Sequence, residues 1–575
     1  MKHVVLDLET NGLLDSASRI HSLVLRDVET GAVQSEVSTD LPRGFGALGR
    51  AETIVGHNVI GFDLPVIQKI FNLSFGAKVR DTLLMAQLRW PEIIAQDYAN
   101  RYFIPKDLFG SHSLEAYGYR LGLHKGNFKG PWDKWSQEMQ DYCIQDTAVT
   151  LKLYKELQKA IQEGIIPESA IEMEHEFAKL MHWQEQEGVP FDTEAAIKLR
   201  DPLKQRIEEV RDELIRIVPP TIIKLKTKTK TVPFNPGSRD QILKFLQDKY
   251  DWKPEKRTKN GNACLDEDVL KGLTYPEAPL FVEYFELQKL LGMLSEGKES
   301  WLNHVKDGRI HGKVTTAGTI TGRCSHQHPN LGQIPSTRSF MGKEVRSLFY
   351  APEGYSLVGI DASGLELRCL AHYLDHWDYG QYTQVVCEGD VHTTNMLAAG
   401  LQTRDQAKTF IYALLYGAGD EKIGSIVLPD GTKERKKDAG LVLRTRFMQQ
   451  IPAFGALVKE AKKQVENKGY LVGIDGRRLT IRHLHAIINT LMQNAGAVAC
   501  KNAWVILFEK LRAQGIKAKP ALNVHDEAQI LVPTEQASLV GKLGVASIEE
   551  AGIKLGFKCP LTGAYRIGRN WSETH

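Results

Sequence analysis

Nowhere in the 575-residue chain is there a run of about 18 apolar residues, so no membrane span is expected. C-x-x-C pairs are also absent. The seven cysteines are scattered and odd in number, which fits reduced thiols in a cytosolic compartment rather than a disulfide framework. A leader peptide is not expected, because MKHVVLDLETNG runs straight into an apolar strand carrying acids. Internal repeats and low-complexity tracts are missing, apart from one short Lys/Thr alternation. No G-x-x-x-x-G-K-[ST] occurs, so the glycines of GAGDEKIG read as a turn after a helix and not as a phosphate loop. Net charge is only +3, and that sum neither requires nor excludes a nucleic-acid partner. What remains is the balance of a folded soluble protein, 42% apolar and 25% charged. Its length suits about three to five domain-sized units.

The stretch SLVGIDASGLELRCLAH, residues 356–372, is the organising feature. An apolar strand delivers Asp361, a small-residue turn follows, and a helix then opens with Glu366. A carboxylate at the end of a buried strand is costly to desolvate unless a cation or a capping role compensates. Taken alone, Asp361 reads either way. Near the N-terminus, Val4-Val5-Leu6 presents Asp7 and Glu9 on one side of an extended chain. A second apolar segment leads to Asp63, and a helical pattern over 139–153 places Tyr142 and Asp146 one turn apart. Four acids gathered from such segments would repel one another unless cations neutralise them. Two Mg²⁺ ions about 4 Å apart would do so and would activate a water against a phosphodiester, with Tyr142 orienting that water.

Helical periodicity dominates from 169 to 292, broken by Pro219-Pro220 and by KLKTKTKTVPF. In an extended chain Lys224, Lys226, Lys228 and Lys230 share one face and would track phosphates, or they form a solvated hairpin. Ser238 reads as an N-cap. Farther on, Arg404, Lys408 and Tyr412 recur every four residues, with Tyr416 continuing the line and Thr403 as N-cap. Such a ladder suits a triphosphate lying along a helix, or a solvent-facing basic stripe. Asn489 and Gln493 share a helix face, and His525-Asp526-Glu527 stands between two apolar strands as a hairpin tip.

In their order these pieces resemble known families. D-x-E, N-x-x-x-F-D and Y-x-x-x-D, with Asp81-Thr82-Leu83 and Ser113 to Tyr117, resemble the proofreading 3′→5′ exonucleases of the Tyr subclass. FNPGSRDQI, TGR, PNLGQIP, VRSLF, the 356–372 stretch, RDQAKTFIYALLYGAG and HDE resemble the A-family DNA polymerases. GRNWSETH and His485 are similar to the T-seven-type phage replicases. The resemblance covers nearly the whole chain. It implies an α/β ribonuclease-H-like exonuclease domain followed by an α+β right-hand polymerase domain. The boundaries read as exonuclease 1–165, thumb 166–305, palm 306–390, fingers 391–485 and palm again 486–575.

By this resemblance Asp361, the Ala362 carbonyl and Asp526 hold the polymerase metals, while Asp7, Glu9, Asp63 and Asp146 hold those of the exonuclease. Each site would take two Mg²⁺, with Mn²⁺ as a substitute. Glu366 becomes a sugar gate tied to Tyr412. Arg404, Lys408, His392, Tyr412 and Tyr416 bind the nucleotide, and Lys408 also acts on the leaving phosphates. Arg323, Gln333, Arg346, Asn489, Gln493 and His525 contact primer–template DNA. Partners implied are dNTPs, primer–template, a replicative helicase-primase and a single-strand-binding protein. The protein is expected as a monomer in the cytoplasm of an infected bacterial host. The large insertion on which thioredoxin docks in the T-seven type is replaced here by the short Lys/Thr stretch, so thioredoxin dependence is not expected. A preceding 5′-nuclease domain is not expected either. The rival enzyme reading is a repair or gap-filling polymerase of bacterial or organellar origin.

Overall fold

The computed structural model describes residues 1–100, 103–224, 229–254, 257 and 263–575. Two compact units emerge, each built from separate stretches of chain. One comprises 1–187, 313–326 and 358–567; the other comprises 188–312, 327–357 and 568–575.

The first unit begins with a five-stranded mixed sheet: β1 (His3–Thr10), β2 (Ile20–Asp27), β3 (Val33–Val37), β4 (Thr53–Gly56) and β5 (Lys78–Asp81), in the order β3-β2-β1-β4-β5. β1 runs antiparallel to β2 and parallel to β4. Side chains alternate across a strand, so Val4, Leu6 and Leu8 enter one core while Val5 enters another with Leu153 and Leu157. Asp7 and Glu9 share Val5's parity and therefore face the helix Gln137–Gln162. That helix starts on a Ser136 N-cap and runs nine residues beyond the expected end at 153. The reason is that Tyr154, Leu157 and Ala160 keep its apolar stripe in the core.

The helix Glu168–Glu187 follows, and it packs into two cores at once. Ile171 joins the sheet's core, whereas Phe177, Leu180 and Met181 join the large core of the remaining elements. This large core surrounds a four-stranded sheet in the order Lys519–Val524, Glu527–Pro533, Tyr355–Ala362, Gly563–Gly568. The helices Ile487–Ala513 and Ala537–Lys554 pack beside it. A Cβ on Gly544 would stand 2.2 Å from Ile360 Cδ1, so only glycine lets the second helix approach the strand this closely. A further group contains the helices Val391–Ala399, Arg404–Leu415, Lys433–Gln450 and Pro452–Lys468. Thr403 caps the second with a full capping box to Gln406. The segment expected as a turn does turn at Gly417, but Asp420–Gly424 then forms a short helix. Its Gly419 N-cap is followed by two acids in the first turn.

The second unit contains the helices Thr193–Ile217, Arg239–Tyr250 and Ala278–Leu291, starting on the Asp192 cap, the Ser238 cap and Glu277 respectively. Phe191, Trp301, Phe349 and Trp571 form an edge-to-face aromatic cluster. The backbones Thr221–Lys224 and Thr229–Val232 pair antiparallel as a hairpin. Lys226 and Lys228 lie outside the described residues, as do the side chains of Lys224 and Lys230. Among the described residues, no helix is long and apolar enough to cross a membrane.

Candidate active sites

Two acidic centres take shape in the first unit. At the first, ligand atoms of Asp7, Glu9 and Cys143 lie within 4.8 Å of one another. Asp63 stands in the first turn of the helix Asp63–Phe71, 4% exposed. Asp81 builds the approach to it: its carboxylate accepts from the Asn58 and Ile60 amides at 2.9 and 3.1 Å. Asp146 arrives from the helix Gln137–Gln162, and its Oδ1 is buried with no hydrogen-bond partner. Burial, then Asp146 and the neighbouring acids, push the Asp7 carboxyl well above its ordinary range, and the Cys143 thiol donates to it at 3.2 Å. Burial also raises Glu9 and Asp63 to about 8 and Asp146 to about 6. Lys125 opposes this on Asp146 through an ion pair at 2.7 Å. Hard oxygens, same-sign crowding and an orphaned carboxylate oxygen together fit divalent cations. Asp7, Glu9, Asp63 and Asp146 would hold them. Tyr142 sits beside Asp146, its hydroxyl raised to about 12 by burial and by that acid.

At the second centre Asp361 is exposed rather than buried, and the helix after it is capped by Gly364, so Asp361 is not its N-cap. The strand Tyr355–Ala362 lies next to Glu527–Pro533, and the Ala362 amide donates to the Asp526 carbonyl at 3.3 Å. Val524 pairs with Glu527, so His525 and Asp526 form a two-residue turn, with His525 at φ +58°. Asp361 thus lies at the end of its strand, and Asp526 in the turn that opens the adjacent one. Burial, then Glu366, raise the Asp526 carboxyl. Two carboxylates and the Ala362 carbonyl offer the all-oxygen donor set that Mg²⁺ prefers. Glu527 is buried and accepts from Gln529, which commits it to the interior. A cavity of about 30 Å³ is lined by Arg323, His326, Glu366, Lys501, His525 and Asp526, among others.

Glu366 opens the helix Leu365–Asp378 and accepts from the Tyr416 hydroxyl at 2.8 Å. This corrects the expected tie to Tyr412. Tyr416 caps the helix Arg404–Leu415, where the backbone leaves α geometry and reaches toward Glu366. Tyr412, one turn earlier, packs half-buried against the core, and its ring stacks on Tyr416 at 6.5 Å. Burial holds the His392 imidazole below its ordinary value, and the charges of Arg404 and Lys408 act in the same direction. Arg404 is engaged by Asp390 at 3.0 Å. Thr321 donates to Gln493 at 3.3 Å, while Oδ1 of Asn489 is buried without a partner.

In the second unit Gln333 is exposed on the turn Leu331–Gln333. Arg346 is only 5% exposed: its guanidinium lies 4.2 Å over Trp571, and Nε donates to the Pro335 carbonyl at 2.8 Å. It therefore props the turn that carries Gln333 rather than standing on an open surface.

Sequence reasoning missed several residues. Glu174 is fully buried between Lys501 at 2.8 Å and Arg477 at 2.9 Å, and Arg477 also binds Asp475. Burial acts against the Glu174 charge, but Lys501 and Arg477 hold its carboxyl below the usual range. His326 Nε2 donates to the Asn523 carbonyl at 2.8 Å. Partners so distant in sequence leave no periodic signal. Asp390 was readable as the Asp before a helix, though not as the partner of Arg404.

Two carboxylates at neighbouring strand ends, with a helix bearing Arg, Lys and Tyr packed in the same core, are what a nucleotidyl-transfer centre would need. Residues 198–573 match the family model of DNA polymerase family A. The chain belongs to that family and is a DNA-directed DNA polymerase. It is 33% identical to the DNA-directed DNA polymerase of Escherichia phage T7, with 100% of each chain covered. Identity to that of Enterobacteria phage T3 is also 33%, again over 100% of both. The thermostable DNA polymerase I of Thermus aquaticus is 27% identical over 85% of this chain and 55% of its own length. Among solved structures, the POL domain of Pol1 from M. smegmatis in complex with DNA primer-template and dNTP shares the fold. Its TM-score is 0.78 at 18% identity, covering 99% of this chain and 95% of that one.

Proposed function

We propose that the protein replicates phage DNA, extending a primer at the 361/526 centre and editing 3′ ends at the 7/9/63/146 centre. Adjacency of the Asp361 and Asp526 strands carries this reading. The mixed sheet ordered β3-β2-β1-β4-β5 with four gathered acids supports a ribonuclease-H-like editing domain. When bound at either site, Mg²⁺ supplies Lewis-acid polarisation of phosphate oxygens and lowers the pKa of the attacking hydroxyl or water. The chain's own residues do the rest. Arg404 exchanges Asp390 for the γ-phosphate, Lys408 and His392 follow along the triphosphate, and Tyr412 lies under the sugar. Gln493, Asn489, Arg323, Gln333 and His525 read features common to every base pair, so that pairing supplies the sequence. At the editing site Tyr142 orients the water. Primed template incubated with and without dNTPs tests both halves: extension in one tube and degradation in the other are expected. No extension would overturn the first half, and no degradation the second.

Glu366 sits where a bulky carboxylate tied to Tyr416 can exclude a ribose 2′-hydroxyl. Glu366→Ala should cut discrimination against ribonucleotides by about 10–200-fold. Competing rNTP and dNTP incorporation measures it, and an unchanged ratio would remove that role. Tyr412 offers a hydroxyl that can replace the missing 3′-hydroxyl contact of a chain terminator. In Tyr412→Phe, selectivity against dideoxynucleotides should rise about 10–100-fold, the worth of one charge-assisted hydrogen bond.

The raised editing carboxyls also set a pH dependence in chelator. Unfolded carboxyls titrate near about 4, whereas Asp146, Glu9 and Asp63 titrate at about 6, 8 and 8 in the fold. The folded state therefore binds more protons across this interval. Their contribution is complete below about pH 4 and is lost as pH rises through 6 to 8. Melting in EDTA should fall over that window, and excess Mg²⁺ should flatten the slope.

A further inference from the structure

Lys125 has no part in the mechanism above, yet it stands inside the editing site. Its Nζ lies 2.7 Å from Oδ2 of Asp146 and 4.6 Å from the centre of the Tyr142 ring. Tyr142 and Asp146 are one helical turn apart, so a single ammonium reaches both.

The loop carrying Lys125 is pinned on either side of it. Gln145 Nε2 donates to the His124 carbonyl at 2.8 Å. Gly126 lies so close to Tyr142 that a Cβ there would stand 3.0 Å from the ring. Phe128 and Trp132 rings follow at 6.0 and 6.3 Å from Tyr142. Meanwhile Oδ1 of the same Asp146 carboxylate is buried and makes no hydrogen bond. One oxygen is committed and the other is not.

We propose that Lys125 is a positioning residue of the editing site, holding Oδ2 of Asp146 and the face of the Tyr142 ring so that Oδ1 faces a divalent cation. The assignment rests on the editing function proposed above. Its chemistry is geometric. A carboxylate with one oxygen fixed cannot rotate, and a phenol ring held under an ammonium keeps its hydroxyl aimed in one direction. That is what a water-orienting group requires. Removing the ammonium loosens both groups but also leaves the acids more negative. Cation affinity and turnover should therefore separate, whereas a lysine that only braces the loop would lower both together.

The test uses the full chain carrying Lys125→Met, which keeps most of the side-chain volume. Degradation of single-stranded DNA from its 3′ end gives kcat and KM. Mn²⁺ binding by electron paramagnetic resonance gives cation affinity, taken at the editing site as the difference from protein also carrying Asp7→Ala and Glu9→Ala. Primer extension reports folding. We expect kcat to fall about 100-fold with KM little changed and Mn²⁺ bound at least as tightly as in the wild type. Tyr142→Phe added to Lys125→Met should slow the enzyme little further, because both act through one arrangement. Lys125→Arg should restore part of the rate.

Unchanged kcat in an enzyme whose wild type degrades DNA overturns the assignment and leaves the editing function standing. So does a joint fall of kcat, Mn²⁺ affinity and melting temperature, which marks a bracing role. A rise in KM alone does the same, marking a phosphate contact. Wild type without degradation, or degradation that survives Asp7→Ala, overturns the editing function itself and the assignment with it.

Discussion

Primer extension by Asp526→Asn should fall by about 10³-fold or more, while degradation of single-stranded DNA continues at the wild-type rate. The substitution is nearly isosteric, so the two-residue turn between Val524 and Glu527 should survive. Its amide cannot carry the charge that a cation-binding oxygen needs. Losing one preorganised charge-stabilising group commonly costs about 10²–10³ in rate, and here the group would be shared by two cations. The Ala362 amide bonds the backbone carbonyl of Asp526, not its side chain, so the strand pairing does not depend on the carboxylate. Single-turnover incorporation of one nucleotide measures the effect. A loss below tenfold would mean that Asp526 is a turn residue beside the centre and not part of it.

The second large effect belongs to Asp7→Ala combined with Glu9→Ala. Degradation should drop by about 10³-fold or more, and primer extension should persist. Both acids lie on β1 with the parity that points them at Asp146, and both are raised by burial and by the charge of Asp146. Taking two of four crowded acids away should also stabilise the domain in chelator, because the repulsion is relieved. A variant that melts higher in EDTA but no longer degrades DNA would separate a functional cluster from a structural one. Retained degradation would place the editing chemistry elsewhere.

Features written in short-range patterns were legible in the sequence. Asp7 and Glu9 follow from period-two alternation, the Thr403 N-cap from the polar residue before a helical run, and the Arg404, Lys408 and Tyr412 ladder from helical repeat. The hairpin tip at His525-Asp526-Glu527 was visible because two apolar strands flank it, although Glu527 itself opens the second strand. Less was legible where a partner comes from far along the chain. Glu174 meets Lys501 across 327 residues and Arg477 across 303, and nothing in any of the three segments marks them as one buried network. Lys125 looked like one lysine among many until the fold set it against Asp146. The Glu366 partner was assigned one turn too early, since the spacing of Tyr412 and Tyr416 does not reveal which tyrosine leaves the helix axis at its last turn. Arg346 was read as a DNA contact, and nothing in the sequence shows that Trp571 covers it.

The most direct test of the central claim uses a primer whose 3′ end is mispaired with its template, incubated with all four dNTPs and Mg²⁺. Two cooperating centres on one chain predict removal of the mispaired nucleotide, followed by extension to full length with the correct base in its place. Full-length product that keeps the mispaired base, or shortening without any extension, would contradict it.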